Sequence, residues 1–452
     1  MRNDEGLGRW VPARDDVAVA GLVGLLYLEH LIYGANRADL SLFFAVIHLV
    51  LLLLLLVSRS GRRAVQSAPL ALPGALLAVI LAAAAFSVLP LGGVIGHPLW
   101  SYVGQAAGSA SLDPVATRLE MVKLTGLGAL FVLALAVGAK RERADRFVQL
   151  LSYAGGAYAA WAFLTWTENP SLIFGVVRPY GGDRLSGSFL SANSAATLFA
   201  CQAMLQLCLL IRAIRRAPGP LLSRRSLSEM KGAPTAAILL FVNGACLILT
   251  ASRGGLLAAV AAGALVVACF AFVRTDARSA VGGLALVGGL VAFVAVALLF
   301  FTGSRLLGRV GDNPMADLRF PIFAAYWRMV LASPWWGYGM GAFHAFNFQS
   351  MTEANAVAMS TLGAAHNVYL QWLLQSGLMG FLPMMALMAV IVAVLVKGLR
   401  RRARQQAVIV FALATCAIFA IHGAMDYALE EPSMTAFFAV VLGLGYGVST
   451  RA

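Results

Sequence analysis

Three short stretches hold residue types that could do chemistry together. In "ASRGG" (251–255) two apolar runs meet at Arg253. An Arg at the centre of a membrane helix costs roughly 2.5–3.5 kcal/mol on insertion scales, so it needs a reason. Ser252 has the chemistry of a helix N-cap, and Gly254 and Gly255 let a backbone come close to a ligand. A helix N-terminus offers unpaired N–H groups and a positive dipole end, which together favour an anion. A guanidinium adds a planar fork that fits phosphate. The plainer reading is a turn Arg snorkelling to the headgroups.

The second stretch, "RPYGGDRLSGSFLSANSAATLFA" (178–200), sets Arg178 and Arg184 around Asp183, with Ser191 and Asn193 as cap candidates where an apolar run begins. The third, "AAHNVYLQWLLQSGLMGF" (364–381), puts His366 and Asn367 at the start of a short amphipathic helix expected to end at Gly377. An imidazole there could serve as a cap. It could also take a proton from an alcohol, a job worth typically 10²–10⁴-fold in rate. Neighbouring cations would favour its neutral, proton-accepting form.

The elements that must position these residues are membrane helices. The chain has 452 residues, 60% hydrophobic and only 12% charged, against about 25% charged in soluble domains. Apolar runs of about 17–25 residues recur, the length of spanning helices rather than barrel strands. We count about twelve, at roughly 17–33, 40–57, 70–91, 119–138, 146–166, 190–211, 235–251, 254–273, 280–301, 380–397, 407–425 and 433–449. The first sixteen residues carry mixed charge and lead into a full span, so a cleavable leader is not expected. The five cysteines fall within predicted spans and none forms a CxxC pair, so neither a disulfide framework nor a thiolate metal site is expected.

Alternate connections are basic: "SRSGRR", "KRERADR", "RAIRRAPGPLLSRRSLSEMK", "RTDAR" and "KGLRRRARQ". By the positive-inside rule they are cytoplasmic, as are both termini. The net charge of +14 therefore reports orientation, not a nucleic-acid partner. The opposite face carries segments 92–118, 167–189 and a long helical loop, 302–379, between spans nine and ten. One membrane domain, residues 1–452, with that loop as a cap is the expected architecture. Ten of the 34 basic residues lie outside the cytoplasmic set: Arg37, Arg118, Lys123, Arg178, Arg184, Arg253, Arg305, Arg309, Arg319 and Arg328. An outward cluster of Arg against that rule is what a phosphorylated lipid would need.

In order and spacing, these elements resemble the O-antigen ligase and polymerase superfamily of bacterial envelope glycan transferases, over about residues 120–450. The matching residues are Arg184, Gly187, Phe189 and Asn193; Ser252, Arg253 and Gly254; and His366 with Asn367, preceded by the glycine-rich "SPWWGYGMGAF" (333–343). Ala192 stands where the family often has Pro. The resemblance implies a metal-independent inverting transferase of the bacterial inner membrane, needing no cofactor and working at its periplasmic face. The donor would be a glycan on undecaprenyl pyrophosphate. The acceptor would be a sugar hydroxyl, of lipid A–core for a ligase or of a second lipid-linked glycan for a polymerase; the reading here is ligase. His366 would be the base, with Arg253 and Arg184 on the leaving diphosphate. Ser252, Gly254, Asn193, Asn367 and, more weakly, Arg178, Arg319 and Arg328 would bind substrate.

Two other readings compete. A flippase for the lipid-linked glycan would also need many spans, but such transporters usually show related halves, and none is visible here. Asp183 could replace His366 as base, though its Arg neighbours would make it a weak one. Glu120 and Lys123, three residues apart, are expected to satisfy each other.

Overall fold

The computed structural model describes residues 14–102, 104, 108–178, 182–216, 232–272, 319–353, 355–402 and 405–451. It is a bundle of helices: α1 (Arg14–Leu31), α2 (Ala38–Val57), α3 (Arg59–Gln66), α4 (Ala71–Ser87), α5 (Leu99–Tyr102), α6 (Pro114–Gly138), α7 (Arg141–Glu168), α8 (Ala192–Arg216), α9 (Ala233–Leu249), α10 (Arg253–Phe272), α11 (Arg319–Ala332), α12 (Phe343–Ser350), α13 (Ala356–Met359), α14 (Val368–Arg401), α15 (Gln406–Gly423) and α16 (Pro432–Thr450). Besides these, a two-residue hairpin pairs β1 (Leu172–Ile173) with β2 (Val176–Val177).

Among the described residues, eight helices are long and apolar enough to cross a bilayer, or nine if the pair α3–α4, bent by 89°, counts as one. This is fewer than the twelve spans expected. Helices α1 and α9 overlie expected spans but fall short of the length or hydropathy that defines the eight. The expected ninth span, 280–301, lies outside the described residues, as do Arg305 and Arg309.

The helices alternate in direction, and their ends sort by charge. At one end Arg212 pairs with Asp145 (2.8 Å) and Gln405 donates to the Arg141 carbonyl (3.2 Å). At the other, Asn36 donates to Glu431 (3.2 Å), Leu185 N–H to the Leu249 carbonyl (3.1 Å) and Asn367 to the Ala424 carbonyl (3.0 Å). The candidate residues all belong to this second end.

Helix α8 is the centre of the bundle. It is buried almost all round, and its two glutamines each find a partner: Gln202 Nε2 donates to Tyr27 (2.8 Å), though its Oε1 accepts no bond, and Gln206 accepts from Ser152 (2.9 Å). Such pairing is what lets polar side chains stay in a dry interior. Helix α16 packs on α6 through small residues. A β-carbon at Gly443 or Gly447 would sit 2.2 Å from the Phe131 or Leu135 carbonyl oxygen, so only Gly permits that approach.

The segment 333–343 is not a free loop. Helix α14 breaks at Gly377 (φ 54°, ψ −164°), and the glycine-rich stretch is stitched into the gap. Tyr338 and Gly339 N–H donate to the Leu374 and Gln375 carbonyls (2.7 and 3.0 Å), while Leu378 and Met379 N–H donate back to Pro334 and Trp335 (2.8 and 3.1 Å). An interrupted helix at membrane depth is tolerated only when its backbone groups are met in this way. The helix expected to end at Gly377 thus continues, redirected, as the span below it.

Candidate functional site

The site is built where the opening of α8, the α9–α10 turn, the opening of α14 and the end of α15 meet. Arg184 precedes α8 in an irregular loop. Its Nε donates to the Thr250 carbonyl (2.7 Å) and its Nη2 to Asn193 Oδ1 (2.8 Å). The first bond fixes Arg184 to the turn carrying Arg253, three residues further on. Asn193, in the first turn of α8, passes the connection on, donating through Nδ2 to Asp426 Oδ1 (3.3 Å).

Asp426 follows α15 and is fully buried. Two imidazoles face it: His366 Nδ1 at 3.8 Å from Oδ1 and His422 Nε2 at 4.0 Å from Oδ2. Burial pushes the Asp426 carboxyl up, but His366 and His422 outweigh it and hold the group below the usual carboxylate range. His366 Nδ1 and Asp426 Oδ2 are both buried without a hydrogen bond. Catalytic hydrogen bonds are often long in the unliganded state and close when substrate arrives. His366 sits at φ +53° and Ala251, two residues before Arg253, at φ +49°. The left-handed region costs a residue with a β-carbon roughly 1–2 kcal/mol, so both turns are held by their surroundings. Tyr427 packs edge-on against the His366 ring, centroids 4.6 Å apart.

At the other turn, Ser252 Oγ accepts from Gly255 N–H (3.2 Å), the cap read from the sequence. Arg253 is the first residue of α10 and is exposed. Gly254 has a different use from the one expected: a β-carbon there would lie 2.9 Å from His422 Cδ2. Its smallness makes room for His422, which also bonds Thr197 (2.8 Å).

Several expected substrate ligands are committed elsewhere. Asn367 accepts from Leu370 N–H (3.0 Å), capping α14, and donates to the Ala424 carbonyl. It therefore fixes His366 beside the 424–427 turn. Arg178 is buried and braces its own loop, donating to the carbonyls of Arg184 (2.9 Å) and Gly182 (2.5 Å) and to Ser186 Oγ (2.5 Å). Arg328 is exposed on α11, on a face away from buried Ile322, Tyr326 and Val330. Arg319 opens α11. Arg328 shows no bond to the residues around Asp426.

The sequence reading missed Asp426 and His422. Their trace is "HGAMDYALEE" (422–431), where a span ends in a His and a carboxylate four residues apart. The expected neighbours of His366 were guanidiniums. The structure puts a carboxylate there instead, and it is Asp426, while Asp183 is exposed and accepts from Trp166 Nε1 through its carbonyl (2.7 Å). Among the described residues, no three His, Cys, Asp or Glu side chains are grouped to hold a metal ion.

No curated protein matches the chain. Residues 235–385, about a third of the chain, match the family model described as O-antigen ligase. The matched stretch contains the Arg253 turn, the glycine-rich segment and His366. It stops short of Asp426 and begins after Arg184. Over residues 235–385 the chain is thus similar to the O-antigen ligase family, and the Arg253 turn and His366 both fall inside that similarity.

Proposed function

We propose that the protein is a glycan transferase that joins a sugar hydroxyl to a glycan delivered on a polyprenyl diphosphate, most simply an O-antigen ligase acting at the outer face of the bacterial inner membrane. One observation carries the reading: an unbroken run of contacts, Arg184–Asn193–Asp426–His366, links a phosphate-binding side chain to a proton acceptor across three helix ends.

The step follows from that layout. His366, with Nδ1 turned to Asp426, accepts the acceptor hydroxyl proton at Nε2. The oxygen attacks the anomeric carbon as the bond to the diphosphate oxygen breaks, and that bond's electron pair leaves with the diphosphate. A single displacement inverts the anomeric centre. Arg184 and Arg253, with the N-terminus of α10, take up the charge that grows on the leaving group. Asp426 stabilises the imidazolium that forms, and Asn193 holds Arg184 and Asp426 in one frame. Undecaprenyl pyrophosphate as the carrier and lipid A–core as the acceptor are the substrates that suit this chemistry. A ligase and a polymerase would share all of these residues and differ in the acceptor, so the acceptor assay below separates them.

The test is transfer in proteoliposomes with a defined lipid-linked glycan and two acceptors offered separately, core-type lipid and a second lipid-linked glycan. Arg253→Ala and His366→Ala should insert normally and form no new glycosidic bond. Product from core-type lipid alone supports a ligase. Movement of the donor across the bilayer without bond formation would replace the transferase with a flippase.

A further inference from the structure

Beside the site lies a second feature that the reaction above does not use. A slot enclosing about 390 Å³ runs between α2, α4, α6, α14 and α16. That is a size suited to a small amphiphile. Its upper end adjoins the site through two shared elements. Val368 and Tyr369, two and three residues after His366, line it; Glu430 lines it and lies four residues after Asp426. Its lower end reaches Leu70, Pro73 and Gly74, near where the Pro69 carbonyl accepts from Tyr446, close to the basic end of α16.

The walls and the roof differ in chemistry. Met340, Met384, Met385 and Met388 stand among the Leu, Phe and Ala side chains of the wall, and unbranched, polarizable side chains of this kind adapt to alkyl chains of varied shape. The roof is polar. Lys123 Nζ is held by Glu120 at 2.6 Å, and Gln375 donates to Glu430 Oε2 at 3.3 Å. One ammonium faces two carboxyl groups, so the roof repels a phosphate and suits hydroxyl groups, which can both donate and accept. Burial and nearby Glu120 push the Glu430 carboxyl up to about 7, which lets it play either part.

We propose that this slot binds the acceptor, as an amphiphile whose alkyl part fills the Met-lined channel and whose sugar hydroxyls meet Glu430, Gln375 and the Glu120–Lys123 pair. This rests on the transferase reading. It means that the two substrates reach His366 from opposite sides of the Asp426 turn, the diphosphate from the Arg184 side and the hydroxyl from the slot.

Gly74 provides the sharpest probe. It lines the lower end, and nothing lies within 4 Å of the position its β-carbon would take. Gly74→Leu therefore adds bulk at the lower end from a β-carbon that meets no neighbouring atom. The full chain in phosphatidylcholine nanodiscs would be photolabelled with diazirine-bearing alkyl glucosides of eight, twelve and sixteen carbons. Unlabelled glucosides and alkyl phosphates of equal length would compete. Labelled peptides should map to the slot-facing turns of α14 and α6. The glucoside should compete at least tenfold better than the phosphate. Gly74→Leu should weaken the sixteen-carbon probe by about fourfold per methylene displaced and leave the eight-carbon probe unchanged. Labelling confined to bilayer-facing residues such as Leu53 and Leu54, equal competition by the phosphate, or a Gly74→Leu effect independent of chain length would each overturn the proposal. Labelling needs no turnover, so an inactive wild type counts against the transferase reading and not against occupancy of the slot.

Discussion

Asp426→Asn isolates the pairing on which the proposed proton transfer depends. The substitution keeps shape and keeps an oxygen to accept from Asn193, now 3.3 Å away, but it removes the charge facing His366. Two unit charges at the observed 3.8 Å interact by about 4 kcal/mol at an effective dielectric of 20, appropriate to a partly exposed pair. That corresponds to roughly three orders of magnitude in rate if the imidazolium is fully formed in the transition state, and about two if the proton is half transferred. The expected loss is therefore roughly 10²–10³ in kcat, with little change in KM for the lipid-linked donor, because Arg184 and Arg253 are untouched. A group that acts only as the charge develops should lower kcat and kcat/KM together. The assay is single-turnover transfer in proteoliposomes, with insertion checked by protease protection. A folded Asp426→Asn protein turning over within threefold of wild type would refute the role given to this carboxylate. A rise in donor KM with kcat unchanged would make it a part of the diphosphate site instead.

Two further outcomes test the structure itself. Because burial raises Glu430 to about 7 from 4.5, the folded protein resists ionisation that the unfolded chain accepts. Wild-type stability should be full below about pH 4.5, fall as pH rises to about 7 and then level off, by about 3 kcal/mol in all; Glu430→Gln should lack that fall, giving a higher Tm than wild type at pH 8 and an equal one near pH 4.5, and parallel curves would sink the argument. Gly377→Ala places a β-carbon 2.3 Å from the Trp335 carbonyl oxygen at φ +54°, so a loss of about 3 kcal/mol or more is expected; thermal unfolding should show it, with Gly363→Ala, where nothing lies within 4 Å, unchanged.

Much of the bundle was legible because its strongest signal is local. A run of apolar residues of spanning length shows in any window, and every expected span that falls within the described residues has a helix over it. The SRGG turn was legible for the same reason: cap, cation and glycines are contiguous. What was hidden is relational. Arg178 and Arg184 flank the same Asp, and only the resemblance set Arg184 above Arg178; the structure shows why, since Arg178 turns back on its own loop and Arg184 reaches Thr250 and Asn193. Asn367 was expected as a ligand through the family resemblance alone; the carbonyl it meets, Ala424, is 57 residues away. Asp426 lies in a short turn after an apolar span, where an acidic residue is commonplace. Only the docking of the start of α14 against the end of α15 shows that it faces two imidazoles. The glycines of 337–341 had no visible purpose until the break in α14 showed what they fit.

Asp426 also ties activity to the order in which the chain is made. It lies in the hairpin of α15 and α16, which leaves the ribosome after Arg184, Arg253 and His366 have already emerged. Until that hairpin docks, the imidazole has no counter-charge and Asn193 no acceptor. On the proposed mechanism, a partly inserted protein would hold the guanidiniums but lack the paired base, and so would not pass a glycan to water while biogenesis is under way.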